Sequence, residues 1–117
     1  MPNSFVEYFA FVNQQRKEQE MASYVVLFQF TDQGIRTVKE TTRRAAAAAN
    51  IAKKFGIKVT DVFWTLGAYD GLLLMEAPND EAVAAFSVSA GSLGNIRSQT
   101  LRAFRAKEFD KILAKLK

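Results

Sequence analysis

The 117-residue sequence contains no cysteine and no histidine. The first absence excludes disulfides and thiolate nucleophiles, and the second excludes imidazole bases and haem with a histidine ligand. Together they exclude most zinc sites, because these two residue types supply most zinc ligands. Any chemistry therefore has to depend on Tyr, Asp, Glu, Lys or Arg side chains, and we expect no cofactor.

Long apolar runs are also absent. Although 49% of the residues are hydrophobic, no apolar run approaches the roughly 18 to 20 residues that a transmembrane helix needs. The net charge of +4 is modest and indicates only a mild preference for anionic partners. The length suffices for one domain with one core. We therefore expect a soluble, cytoplasmic protein without a membrane partner.

The first twenty residues differ from the rest and are interpreted as an N-terminal leader, helical or disordered. They contain FVEYFAFV followed by NQQRKEQE, without the basic region and cleavage site of a secretory signal. Phe5, Phe9 and Val12 are spaced i, i+4, i+7, as on one face of a short helix. The leader has three interpretations: it is dispensable, it packs against the domain or a partner, or it anchors the protein to a membrane surface. A membrane anchor is the weakest of these, because the helix would have few cations facing the lipid. The domain is assigned to residues 21–117.

Four segments have the composition and alternation of strands: residues 24–30, 57–66, 71–77 and 95–104. The first is nearly all apolar, which is typical of a strand buried on both faces. The second changes its alternation around Thr60 and Asp61, which indicates a bulge. The second and third strands are close enough in sequence to form a hairpin.

Capping residues delimit three helices between and after these strands. The first is predicted as one helix over residues 32–55, with Thr31 as N-cap and Gly56 as left-handed C-cap. Two ion pairs at i, i+4 support it, namely Asp32 with Arg36 and Glu40 with Arg44. The second helix follows Asn79 as N-cap and ends near Gly91 or Gly94. The terminal helix carries an apolar stripe formed by Phe109, Ile112, Leu113 and Leu116.

The predicted element order is βαββαβ with a C-terminal helix. Right-handed crossovers then give an antiparallel four-stranded sheet in the order 4-1-3-2, with both crossover helices on one face. The predicted fold class is therefore α+β with a ferredoxin-like arrangement.

The two central strands carry apolar side chains on both faces, although two helices cover only one. Val25 and Leu27 alternate with the first strand's other apolar residues, as Leu72 and Leu74 do in the third. Each such side chain gains roughly 1.5 to 3 kcal/mol on burial. A second copy packed sheet to sheet, in the style of a dimeric α+β barrel, would cover this face. The alternative is that the terminal helix or the leader folds over it.

Three stretches, YVVLFQFTDQGIRTVKET, VFWTLGAYD and GSLGNIRSQTLRAF, resemble the GYD domain family. The resemblance covers about residues 22–117 and leaves the leader outside. It implies a ferredoxin-like fold of the dimeric α+β barrel style and no particular activity. The family motif reads Gly67-Ala68-Tyr69-Asp70 here.

This motif has two interpretations. In the structural one, glycine provides a positive φ in a turn, and Asp70 accepts hydrogen bonds from backbone N–H groups. In the functional one, Tyr69 is a donor or acid and Asp70 a base at the mouth of the barrel, with Trp64 as an apolar wall. We favour the turn and keep the pocket as a hypothesis.

Arg97 on the fourth strand is a further ligand-binding candidate. Arg97 and Arg102 lie an odd number of positions apart, so a regular strand points them to opposite faces. Exposed arginine on an edge strand also discourages strand pairing. The acids Asp61, Glu76, Asp80 and Glu81 do not have metal-ligand spacing, so we expect no metal site.

The leading functional prediction is a non-enzymatic homo-oligomeric module that binds a small apolar or anionic ligand in the barrel. The alternative is a cofactor-free barrel enzyme, similar to small monooxygenases or isomerases, using Tyr69 and Asp70. RNA-recognition motifs share the βαββαβ order but stack bases on aromatics of the first and third strands, with a sequence such as [KR]G[FY][GA]FV on the third. That strand is GLLLMEA here, without aromatic residue or cation, so we predict no nucleic-acid binding.

Overall fold

The computed structural model describes residues 4–8 and 21–116. Its strands are β1 (Ala22–Phe30), β2 (Lys58–Trp64), β3 (Gly71–Ala77) and β4 (Ile96–Ala103). Its helices are α1 (Asp32–Arg36), α2 (Thr41–Lys54), α3 (Asp80–Gly91) and α4 (Ala106–Leu113), with a 3-10 turn at Val38–Glu40 between α1 and α2. Residues 5–8 are also helical, whereas the expected helix positions Phe9 and Val12 lie outside the described residues.

The four strands form one sheet in the order β2-β3-β1-β4, and every neighbouring pair is antiparallel. This is the 4-1-3-2 order that the sequence predicts, so the ferredoxin-like α+β fold is confirmed. The predicted irregularity in the second strand is present, because the β2–β3 register shifts between Val59 and Asp61. Thr60 occupies the bulge and its hydroxyl donates to the Leu74 carbonyl at 3.1 Å.

The first helix is not continuous, which corrects the expectation of one helix over residues 32–55. The chain leaves helical geometry at Thr37, where φ is −117°. Arg44 donates hydrogen bonds to the Thr37 carbonyl at 2.8 Å and to the Thr37 hydroxyl. Glu40 therefore pairs with Arg43, and not with Arg44 as its spacing suggests. A side chain from the next helix thus satisfies a carbonyl that a continuous helix would satisfy internally.

The predicted caps are confirmed. Thr31 accepts the Gly34 N–H at 3.0 Å, and Asn79 accepts the Ala82 N–H at 2.9 Å. Gly56 ends α2 with φ +76°. The N–H groups of Gly56 and Ile57 donate to carbonyls in the last turn of α2, at 3.1 and 3.0 Å, which is the Schellman arrangement.

The core lies between the sheet and helices α2 and α3. Its buried cluster consists of Tyr24, Val26, Ala52, Ile57, Leu73, Met75, Ala77, Val83 and Phe86. In the two central strands these residues alternate with half-buried ones, as shown by the burial of Leu73 and Met75 and the partial exposure of Leu72 and Leu74. The sheet therefore has a helix-covered face and an opposite face, which we call the open face. None of the helices in the described ranges has the length and apolar character to cross a bilayer.

Candidate functional site

The β2–β3 hairpin is held to β1 through Asp70. Its carboxylate oxygen Oδ2 accepts the Phe30 N–H at 2.8 Å, and its own N–H donates to the Phe28 carbonyl at 2.8 Å. Gly67, at the tip, has φ +108°, a backbone conformation that residues other than glycine rarely adopt. These contacts give the motif the geometry of a structural joint.

Gly71 starts β3 beneath the ring of Phe28. A Cβ atom at this position would lie 2.2 Å from the Phe28 ring and 2.5 Å from the Phe63 carbonyl oxygen. Glycine is therefore needed here for close approach, and not for a positive φ. The two glycines that flank the tyrosine and aspartate thus have different physical roles.

Tyr69 reaches over the open face. Its hydroxyl donates to Gln99 Oε1 at 2.5 Å, and Gln99 lies on β4 opposite Leu27 of β1. Arg97, two residues before Gln99, lies opposite Gln29 on the same face. Two of the sequence-predicted candidates, Tyr69 and Arg97, therefore share one polar end of the open face. Sequence reasoning missed both glutamines, because only the strand register shows that they belong to it.

Gln29, at this polar end of the open face, also contacts the hairpin. Its side-chain amide donates to the Ala68 carbonyl at 2.7 Å, which fixes the hairpin tip against the end of β1. An exposed glutamine at the end of a predicted strand carries no sequence signal for such a contact. It was identifiable only once β1 and the hairpin were placed together.

Trp64 lies on the other side of the sheet. It is opposite Gly71 in the register, and its indole N–H donates to the Thr41 hydroxyl at the start of α2, at 3.0 Å. The structure therefore does not bring Trp64 together with Tyr69 and Arg97. The expected separation of Arg97 from Arg102 is present, since Arg102 lies opposite Tyr24 on the helix-covered side.

The middle of the open face is mostly apolar, with the exposed Asp61 opposite Leu74. Its apolar side chains are Val25, Leu27, Phe63, Leu72, Leu74 and Leu101, placed there by the strand registers. Phe63 is 51% exposed and Leu101 is 41% exposed. Helix α4 and residues 4–8 thus leave these two side chains accessible, which does not support the alternative in which either segment covers the face.

The end of the open face opposite Tyr69 and Arg97 carries charged side chains of both signs. Here, Lys58 lies across from Glu76, and Glu76 also contacts Arg105 at 3.4 Å. Such exposed pairs contribute roughly 0 to 1 kcal/mol each. They therefore add little to the stability of the subunit.

Tyr24 connects the covered face to α3. It is buried, and its hydroxyl donates to Asp80 Oδ1 in the first turn of α3. Burial, followed by the hydrogen bond and negative charge of Asp80, raises the pKa of Tyr24 to about 12. Its hydroxyl is therefore a neutral donor at ordinary pH and is unsuited to act as a base. Within residues 4–8 and 21–116, no group of three acidic side chains is arranged to hold a metal ion.

Helix α4 extends from the end of β4 with a largely accessible apolar side. Glu108 contacts Arg102 at 3.5 Å, and the ring centroids of Phe104 and Phe109 are 6.4 Å apart. Phe109 is 46% exposed and Leu113 is 47% exposed. Three members of the predicted stripe, Phe109, Ile112 and Leu113, lie on the helix, whereas Leu116 lies beyond its end. Of the three, only Ile112 is partly buried.

Comparisons with known proteins agree with this fold. The model of the GYD domain family matches residues 24–113. The chain is 30% identical over 98 residues to the glutamine synthetase and cystathionine beta-lyase binding protein of Thermus thermophilus. This alignment covers 83% of the chain and 100% of that protein.

Proposed function

This chain belongs to the GYD domain family, and we propose that it acts as a non-enzymatic, homo-oligomeric module that binds other proteins. The observation that carries the proposal is the open face, where six large apolar side chains lie side by side. The relative from Thermus thermophilus, named for binding two enzymes, supports protein binding. We place the function in the cytoplasm and assign it to residues 21–117, with the leader outside the functional domain.

The open face is proposed to pair with the same face of a second copy. Phe63 and Leu101 leave about half of their surface in water, and contiguous apolar patches of this kind mark interaction sites. Sheets pack face to face at about 10 Å, a distance that interdigitating Leu and Phe side chains fill. In a dimer with a two-fold axis, the open face of one copy packs against the open face of the other, so the interface needs no other surface of the protein.

Light scattering coupled to size exclusion tests the dimer. We expect the wild-type protein to elute as a dimer and Leu74→Glu to elute as a monomer, because the substitution introduces a charge in the middle of the open face. Ala84→Glu is the matched control, since Ala84 lies exposed on α3 away from this face. A wild-type protein that stays monomeric at high concentration would exclude the proposed dimer.

The accessible apolar side of α4 is proposed to contact the partner enzyme. Glutamine synthetase and cystathionine beta-lyase from the protein's own source organism are the first candidates, given the name of the relative. In a surface-binding assay we expect Leu113→Gln to weaken binding by about tenfold or more, a loss of about 1.4 kcal/mol. Lys107→Gln, on the same helix, should bind like wild type. Binding that is equal in the two variants would exclude α4 as the contact.

A small apolar or anionic ligand enclosed between the paired sheets remains part of the proposal. Tyr69 and Arg97 lie at the polar end of the open face, and would line the end of the barrel. The enzymatic alternative, with Asp70 as a base, is less well supported because the Asp70 carboxylate accepts a backbone N–H. Binding of anions that is lost in Arg97→Gln and retained in Arg102→Gln would support the barrel ligand.

A further inference from the structure

A cavity of about 130 Å³, partly open to solvent, lies on the helix-covered side of the sheet, away from the open face. Phe28, Phe30 and Leu73 form its floor, and Ala48 of α2 and Ala90 of α3 contribute to its walls. The lining is almost entirely carbon. The cavity is therefore separate from the surface that the proposed function uses.

The cavity follows from how the two helices fill the space over the sheet. At one end, Val83 and Phe86 of α3 are buried against the sheet and belong to the core cluster. At the other end, α2 and α3 present single-carbon side chains, Ala45, Ala48 and Ala90, to the large residues of the sheet. Because the helices do not fill this space, the apolar side chains that line it lack dispersion contacts on one side.

The polar residues of the lining already have hydrogen-bond partners in the protein. The Thr41 hydroxyl accepts the indole N–H of Trp64. The Arg44 guanidinium donates to the Thr37 carbonyl, and Asn95 Oδ1 accepts from Gln33 at 3.0 Å. Because these groups are engaged, the cavity offers few free hydrogen-bond partners to a polar ligand or to water.

We propose that this cavity binds a neutral, apolar small-molecule group of the size of a benzene ring. The volume is the basis for the size class, since an engineered apolar cavity of roughly 150 Å³ binds benzene. The carbon lining and the engaged polar groups are the reason for proposing a neutral ligand. Burial of the ligand replaces the missing contacts between α2, α3 and the sheet.

Methyl-resolved NMR on the full chain with labelled alanine tests the site directly. Toluene is the probe, and we expect saturable shifts of the Ala45, Ala48 and Ala90 methyl groups. In Ala48→Leu the added carbon atoms occupy the cavity, so the affinity for toluene should fall by about tenfold or more. Ala46→Leu is the matched control, because Ala46 lies exposed on the same helix outside the cavity, and its affinity should match wild type.

The outcomes separate the site from other apolar surfaces. An unsaturable response, or equal affinity in Ala48→Leu and Ala46→Leu, overturns the proposal, because toluene would then bind elsewhere. If Ala48→Leu does not fold, Ala90→Leu fills the same cavity from α3, and its affinity for toluene should fall in the same way. Benzoate should bind at least about tenfold more weakly than toluene, and tighter benzoate binding would overturn the neutral class. The Leu74→Glu variant should retain toluene binding even as a monomer, so the site and the proposed dimer can fail independently.

Discussion

Asp70 and Phe30 are joined by a hydrogen bond of 2.8 Å from the Phe30 backbone N–H to the Asp70 carboxylate. This bond lies where β1 ends and the β2–β3 hairpin begins its return. A charged acceptor on a backbone donor is among the stronger hydrogen bonds in proteins. The motif aspartate therefore connects two parts of the chain that are 40 residues apart.

We expect Asp70→Ala to lower the free energy of unfolding by about 1.5 to 3 kcal/mol, because Phe30 loses a charged acceptor. Tyr69→Phe should change it by less than about 0.5 kcal/mol, because the Tyr69 hydrogen bond to Gln99 is exposed. Urea denaturation of the two variants measures the difference. Equal stabilities would show that the aspartate has no structural role beyond that of the tyrosine.

Gly71→Ala should destabilise the fold by about 2 to 4 kcal/mol, since the added methyl group would overlap the Phe28 ring. Gly91→Ala provides the comparison. Its Cβ would meet no atom within 4 Å, and alanine has the higher helix propensity at the end of α3. Thermal denaturation should show a large loss for the first variant and no loss for the second. A normal melting temperature for Gly71→Ala would contradict the close packing of Phe28.

Tyr24 should make the stability of the protein sensitive to alkaline pH. Its pKa is raised from 10.0 to about 12, so the folded state holds this proton more tightly than the unfolded state does. The resulting stabilisation is complete below pH 10 and is lost as the pH rises towards about 12, by about 2 to 3 kcal/mol. Urea denaturation between pH 9 and pH 12 should therefore show a steeper loss for wild type than for Tyr24→Phe. If wild type and Tyr24→Phe lost stability equally over this pH range, the proposed contribution of Tyr24 would be excluded.

Removal of residues 1–20 should leave the fold intact. Strand β1 begins at Ala22, and every residue of the buried cluster follows it in the sequence. We expect the shortened chain to unfold within about 0.5 kcal/mol of the full chain, because it retains the whole sheet and the whole buried cluster. A larger loss would show that the leader packs against the domain, which was one of the interpretations of its sequence.

Most of the architecture was predictable because local signals agree with the fold. The caps at Thr31, Gly56 and Asn79 depend on residues within a few positions in the sequence, so their chemistry can be recognised without tertiary information. The strand order follows from the element order and the handedness of crossovers. The break in the first helix was not predictable in this way. It depends on Arg44 reaching the Thr37 carbonyl, whereas helix propensity and charge spacing both favour continuity.

The sequence by itself determined the four strands, their order and the presence of apolar side chains on both faces of the central pair, because these depend on periodicity and chain connection. Only the tertiary structure decided which of the candidate site residues share a surface. It placed Tyr69 and Arg97 on the open face and Trp64 on the helix-covered face, since faces depend on the register between strands. It also decided that two alanine-bearing helices leave a cavity over Phe28, since packing volume depends on residues distant in the sequence.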